Sequence, residues 1–366
     1  MEFSVNTRAV TGLADMLDRR SHDLVRTADY LAGQSTLAWG PGLLNLFSGA
    51  HARTMAEVDA FLRRAANQYL LRYSVGVNAA VEDYNSSDQT ANARVDAILT
   101  GLVVPSAPAH IADQSTGPGI FADPVPLVFR IPLDAHLTYP YQPHWYDLLS
   151  PTTIIRDEMW YLTTLGVKMG LLPRPCDPYE SFTSPLCGDW AGMERVSFAL
   201  TEVARALSYV STSVDAGATT LDRVWTGVAA NNCQSALRRF AKDLRPAVDI
   251  IVAIASHYHQ VAETARKQAE ALAVMVSMVV DIISSCGLEL IVDVIADAAR
   301  LGEVVDAVAD LATAMSKEVE VLHLVIEAKN TDLGALCDEM GILVSQPVNV
   351  NLPDDLPVLP TPAHTR

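Results

Sequence analysis

The side chains that could do chemistry in this sequence are few, and their spacing works against it. His257 and His259 lie two apart in a stretch with helical periodicity. Positions i and i+2 of a helix point to opposite faces, so this pair cannot chelate one ion. His51, His110, His136 and His144 are scattered, and the five cysteines lack the paired spacing of a zinc site. No Gly-x-Ser-x-Gly elbow, Walker loop, dinucleotide fingerprint or His-Glu-x-x-His occurs. Asp354-Asp355 sits in a proline-rich tail, where nothing would hold two carboxylates rigidly enough for acid–base catalysis. The expectation is a non-enzymatic protein with no metal and no cofactor. One pattern suits recognition instead: Tyr84-Asn85-Ser86-Ser87-Asp88 places an aromatic ring and a carboxylate at i and i+4, on one face if the segment is helical. The alternative is an ordinary helix end, with Asn85 to Asp88 as capping and turn residues.

The elements that would position such residues are helices, and residues 191–270 dominate them. Met193, Val196, Leu200, Val203, Leu207, Val210, Val214, Leu221 and Val224 fall at steps of three and four, weakened only at Gly217. The same steps run through Cys233, Leu237, Phe240, Leu244, Ala247, Ile251, Ile254, Tyr258, Val261 and Ala265. Alternating steps of three and four make a coiled-coil-like seam, one apolar stripe per helix. Trp225-Thr226-Gly227 separates the two rows: Trp225 can wedge the open end, and Gly227 permits the backbone of a sharp reversal. Residues 6–34 and about 43–84 repeat the plan, with Trp39-Gly40-Pro41-Gly42 between them. The predicted fold class is all-α: tandem antiparallel helical hairpins with a proline-rich connecting strap.

Two helices around Trp-x-Gly resemble the small WXG hairpin proteins exported by type VII (ESX) secretion systems of actinobacteria and firmicutes. The flanks, Ser150-Pro151 opening a helix and Cys187-Gly188-Asp189-Trp190 leading into the central hairpin, resemble the WXG-like domain at the front of large actinobacterial secreted toxins. The resemblance covers roughly residues 148–285 well and 1–100 more loosely, because Gly42 is three residues after Trp39 rather than two. It implies hairpin-turn roles for Trp39, Gly42, Trp225 and Gly227, and it makes Tyr84 and Asp88 the match to the Tyr-x-x-x-Asp/Glu export signal. The implied partner is a type VII secretion ATPase or a small WXG-type protein, with self-association as a further option. In the toxins a catalytic domain follows the WXG-like region, whereas here only about 20 residues follow the last helix. Export to an oxidising compartment would allow a Cys176–Cys187 disulfide across a proline-rich loop; in a reducing one both stay free thiols.

Bulk properties narrow the partners. With 26 Lys+Arg against 43 Asp+Glu, the net charge is −17, which argues against nucleic acid, since phosphate binding needs concentrated basic surface. Met1 to Val5 shows no basic and apolar leader, so no general secretory signal is expected. The apolar run from Ala271 is stopped by Asp281, which speaks against a spanning helix but leaves membrane contact open.

The chain accordingly divides into an N-terminal helical hairpin with the export motif (1–100), a proline-rich strap (101–149), a linker helix and Cys loop (150–190), the central hairpin plus further helices (191–343) and an extended tail (344–366). In the strap, Val125 to Leu133 can only be an isolated or edge segment because of its prolines. Tyr139, Tyr141, Trp145 and Tyr146 would anchor it to a helical surface or form a ligand cage. Cys233, Cys286 and Cys337 read as packed residues. The leading expectation is a secretion substrate or secretion-associated protein acting through helix–helix interaction, found in the medium or at the cell surface. The alternatives are a cytosolic partner or chaperone of a WXG-type substrate and a membrane-active helical effector.

Overall fold

The computed structural model describes residues 4–99, 117–121, 127–130, 152–177, 179–286 and 298–345. The protein is all-α; among the described residues one two-residue bridge joins β1 (Ser4–Val5) to β2 (Trp225–Thr226). Helix α1 (Thr7–Gln34) starts where Asn6 accepts a hydrogen bond from the Ala9 amide, 3.0 Å. Helices α2 (Ser48–Arg64) and α3 (Leu71–Leu99) are joined by a π-helical turn, Ala65–Leu70. After α4 (Thr152–Lys168) come α5 (Trp190–Leu221), α6 (Val228–Cys286) and α7 (Ala298–Ser345).

The seam residues of α5 and α6 are buried along its length, from Met193 to Leu221 and from Cys233 to Ala265. Each fully buried Leu, Val or Ile contributes roughly 1.5–3 kcal/mol. Three cross-links fix the register. Ser197 Oγ donates to the Ala255 carbonyl, Ser211 Oγ to that of Ala241, and Gln234 Nε2 to that of Ala218, at 2.7, 2.7 and 3.0 Å. In each pair the two residues are equidistant from Thr226, so the helices run antiparallel about the centre of Trp225-Thr226-Gly227. Pro246 lies inside α6 and takes one N–H from the helix. Pro246 and Lys242, whose carbonyl loses its donor, are both solvent-exposed, so water can replace the bond.

Helix α1 lies along α5, and α2–α3 folds back over α1. Ser21 Oγ bonds the Ala66 carbonyl and Ser74 Oγ that of Ala14, pairs centred on residues 43–44. Gly217 is buried, and a Cβ there would meet the Met16 side chain at 2.8 Å. The residue that looked like a weak point in the row is what lets α1 approach α5. Helix α6, at 59 residues, is nearly twice the length of α5, at 32, so its second half runs beyond these four helices. There α7 and α4 cover it, with Gly166 packed against Val305. A single hydrophobic core links all of these elements.

One expectation needs adjustment. Residues 85–88 are helical, not a helix end, since α3 continues to Leu99. Met169 is 52% exposed, because α4 ends at Lys168 and Gly170 turns the chain with φ of 80°. Of the strap, Pro118–Phe121 forms a 3-10 turn and 127–130 is an isolated extended piece on α1 and α5; Tyr139, Tyr141, Trp145, Tyr146, Ser150, Pro151 and the tail lie outside the described residues.

Trp225 is 4% exposed, so truncation to Ala should lower the unfolding free energy by about 3–5 kcal/mol. Urea denaturation of Trp225→Ala beside wild type measures it. A loss below about 1 kcal/mol would show that the ring does not fill the open end of the helix pair.

Candidate interaction site at the Trp225 turn

Three separate parts of the chain converge on the reversal between α5 and α6. Gly227 has φ of 121°, a conformation that L side chains rarely adopt. The strand β1 pairs Val5 with Trp225 and Ser4 with Thr226, and the Asn6 amide donates to the Val224 carbonyl at 2.8 Å. Asn6 thereby caps α1 with its side chain and ties the start of α1 to the turn with its backbone. From α3, the Tyr84 ring meets the Trp225 indole edge-on, centroids 6.1 Å apart. Tyr84 is half-buried; burial pushes its phenol pKa up, and the Trp225 indole beside it partly opposes the shift. Asp88 is one helical turn further along α3, with its side chain outside the described residues. The structure therefore puts Tyr84, Trp225 and Gly227 together.

Trp39 and Gly42 are elsewhere, at the opposite end of α1 and α5. The fold-back of the first helix pair is centred after both of them, at residues 43–44. Trp39 packs edge-on against His51, centroids 5.2 Å apart. Gly42 is a point of close approach: a Cβ would land on the carbonyl oxygens of Cys187, Pro185 and Ser184. The Cys187-Gly188-Asp189-Trp190 segment is thus a docking surface for the first turn. Asp189 caps α5 through the Gly192 amide at 2.8 Å, and its own amide bonds the Ala38 carbonyl at 3.2 Å. No bond joins Cys176 to Cys187 in this structure. Burial raises the pKa of both, which disfavours the reactive thiolate.

At this same end lies a polar node that residue spacing could not reveal. His51 on α2 and Tyr258 on α6 are both buried and hydrogen-bonded, Nδ1 to hydroxyl, at 2.8 Å. The imidazole also bonds the Ser35 backbone, whose carbonyl can only accept. His51 Nδ1 therefore accepts from Tyr258. Thr54 donates to the Ala50 carbonyl at 2.7 Å, which leaves the Cys337 thiol of α7 as the donor in its 3.3 Å contact with Thr54 Oγ1. Three helices are joined through this chain of polar contacts. Tyr258 is thus interior, as its place on the seam implied, while Glu263 is held on the outside by Arg266 and Lys267.

Among the described residues no group of three or more His, Cys, Asp or Glu side chains could hold a metal ion. A groove of about 420 Å³ beside Ser211, Asp215, Arg245 and Asp249 is lined mainly by exposed polar side chains, and the buried Ser211 hydroxyl is committed to the Ala241 carbonyl. No protein family, curated protein or solved structure matches this chain.

Burial pushes the His51 pKa down to about 4, so the folded protein holds it neutral. An unfolded chain takes up that proton near pH 6.5. Between pH 6.5 and 4 the unfolded state therefore binds more protons, and stability falls as pH falls through this window. The His51 contribution lost by pH 4.5 should be about 2 kcal/mol. His257 is shifted the same way, so the comparison needs a variant. Urea midpoints of wild type and His51→Gln at pH 7 and pH 4.5 should show a smaller pH dependence in the variant. Equal dependence would assign the acid lability to other groups.

Proposed function

We propose that this protein is a non-enzymatic substrate of a type VII (ESX) secretion system, or a factor associated with one, acting through helix-mediated protein–protein interaction. One observation carries the reading: Trp225-x-Gly227 sits at the centre of symmetry of two long helices, with the tryptophan buried and the glycine at positive φ. A chance Trp-x-Gly would have no reason to coincide with the midpoint of three cross-helix hydrogen bonds. In this reading α1 to α3 and α5 to α6 act as a fused pair of hairpins that cover each other's apolar stripes. The partner proposed is the secretion ATPase rather than a separate small WXG-type protein, because the seams are already covered within one chain. Export would carry the protein to the cell surface or the medium.

The signal proposed for that ATPase is Tyr84 with Asp88 on α3. Its placement has a physical rationale. Tyr84 rests on Trp225, so its ring is held at the end of the body, and the helix continues past Asp88 to present both positions one turn apart. Tyr258 has no equivalent role, being fully buried with Ala262, also buried, four residues on. No described helix is long and apolar enough to cross a membrane.

Secretion in a host carrying the type VII machinery should fall at least tenfold for Asp88→Ala and for Tyr84→Ala. Asp88→Ala should leave the melting temperature unchanged. Tyr84→Ala should also lower stability by about 1 kcal/mol, through loss of the aromatic pair. Tyr258→Ala should mainly destabilise, by about 3–5 kcal/mol. Immunoblots of medium and cell fractions with parallel thermal melts check all three. Wild-type export of both front variants would rule out Tyr84 and Asp88 as the signal.

A further inference from the structure

The isolated extended piece Leu127-Val128-Phe129-Arg130 is held in a way that helical packing does not require. Its backbone is read at three points by side chains of two helices. Arg205 on α5 donates to the Val128 carbonyl at 2.6 Å, and Tyr30 on α1 donates its hydroxyl to the Arg130 carbonyl at 2.9 Å. The Arg130 amide donates to Glu202 Oε2 at 3.2 Å. Its side chains are read as well. Leu127 is buried, and Phe129 stacks on Tyr30 with centroids 4.7 Å apart and planes 12° apart. The Arg130 guanidinium pairs with Glu202 Oε1 at 2.7 Å, while Arg205 pairs with Oε2 at 2.7 Å.

Glu202 is the centre of this arrangement. It is 1% exposed on a helix that otherwise buries apolar residues and small ones such as Ser211. Burial alone would raise its pKa; hydrogen bonds from Arg205 and Arg130 outweigh it and keep the carboxylate ionised. An ionised carboxylate at that depth needs its partners, and half of them come from the extended segment.

We propose that the groove between α1 and α5, floored by Glu202, is a peptide-recognition site for extended segments of the pattern apolar-x-aromatic-Arg, occupied in the free protein by the chain's own residues 127–130. The ligand class follows from the groove. Main-chain bonds at alternate positions take an extended backbone, Tyr30 takes a flat ring, and Glu202 takes a guanidinium on the next residue. Because the occupant is tethered, its effective concentration is on the order of millimolar, and a partner segment enters only where it outcompetes it. This site is separate from the Trp225 end of the molecule and does not rest on the secretion reading.

The probe is a fluorescein-labelled peptide with the sequence of residues 125–132, followed by anisotropy against the full-length protein. Phe129→Ala combined with Arg130→Ala empties the groove, so this variant should bind the peptide at least tenfold more tightly than wild type. Adding Tyr30→Phe, which removes one donor and keeps the ring, should weaken binding about fivefold. Replacing the arginine in the peptide by alanine should weaken it tenfold or more. If the double variant loses its helical circular dichroism spectrum, Arg130→Ala alone carries the same comparison, since that side chain is 67% exposed. Absence of saturable binding to a folded groove-emptied variant, or equal binding of a scrambled peptide, would overturn the proposal.

Discussion

The reversal at Thr226 is the constraint on which the rest of the structure depends. Two helices that meet along an apolar seam can slide by a heptad at modest cost, because one Leu or Val row resembles the next. A turn with Gly227 at φ of 121° and a buried tryptophan beside it removes that freedom. Once the midpoint is set, Ser197, Ser211 and Gln234 fall opposite specific carbonyls of the facing helix. A slip of one heptad would take the buried Ser211 and Gln234 away from those partners, at about 1–3 kcal/mol each. The apolar rows supply most of the stabilisation, and the turn and polar cross-links choose the register.

Everything else in the body is arranged on that pair. The start of α1 is tied to the turn through Asn6 and β1, and its end is held near the start of α5, where Arg195 bonds the Thr36 carbonyl at 2.9 Å. Small residues set the approach distances: Gly217 admits Met16, Gly42 meets three carbonyl oxygens, and Gly188 admits Leu44. At the far end His51, Tyr258, Thr54 and Cys337 join α2, α6 and α7 by hydrogen bonds inside the core. Such a node specifies one arrangement of three helices, and it costs stability whenever a member must take up a proton.

Charge is used sparingly inside the molecule. Among the described residues, surface pairs such as Arg63 with Asp29 and Asp59 contribute little individually. Two buried places carry charge: Arg20 pairs with Asp23 on α1 at 3.0 Å, and Glu202 sits on α5 between Arg130 and Arg205. The segment at 127–130 supplies one of the two arginines that pair with Glu202, so the occupancy of one groove bears on the charge pairing of a carboxylate on a central helix. That couples a surface segment to α5 without any movement of the helices being required.

The all-α class was legible in the sequence because heptad rows and their glycine and proline interruptions are local patterns; α1 and α5 begin and end close to where those patterns place them, while α6 runs past residue 270 to Cys286 without a break. The burial of Trp225 and Tyr258 was legible for the same reason: both sit in or beside a row. Three-dimensional packing decided what periodicity cannot encode. Asn85 to Asp88 have the composition of a helix end, yet they extend α3, since a helix already anchored by Tyr84 on Trp225 gains a residue of hydrogen bonding with each step. Gly42 lies in the reversal after α1, as its type suggests, and is also a packing residue whose neighbours are more than a hundred positions away. His51 and Glu202 carried no local signal at all. Their chemistry depends on Tyr258 and Arg130, partners separated from them by long stretches of chain, and only tertiary contact could bring each pair within hydrogen-bonding distance.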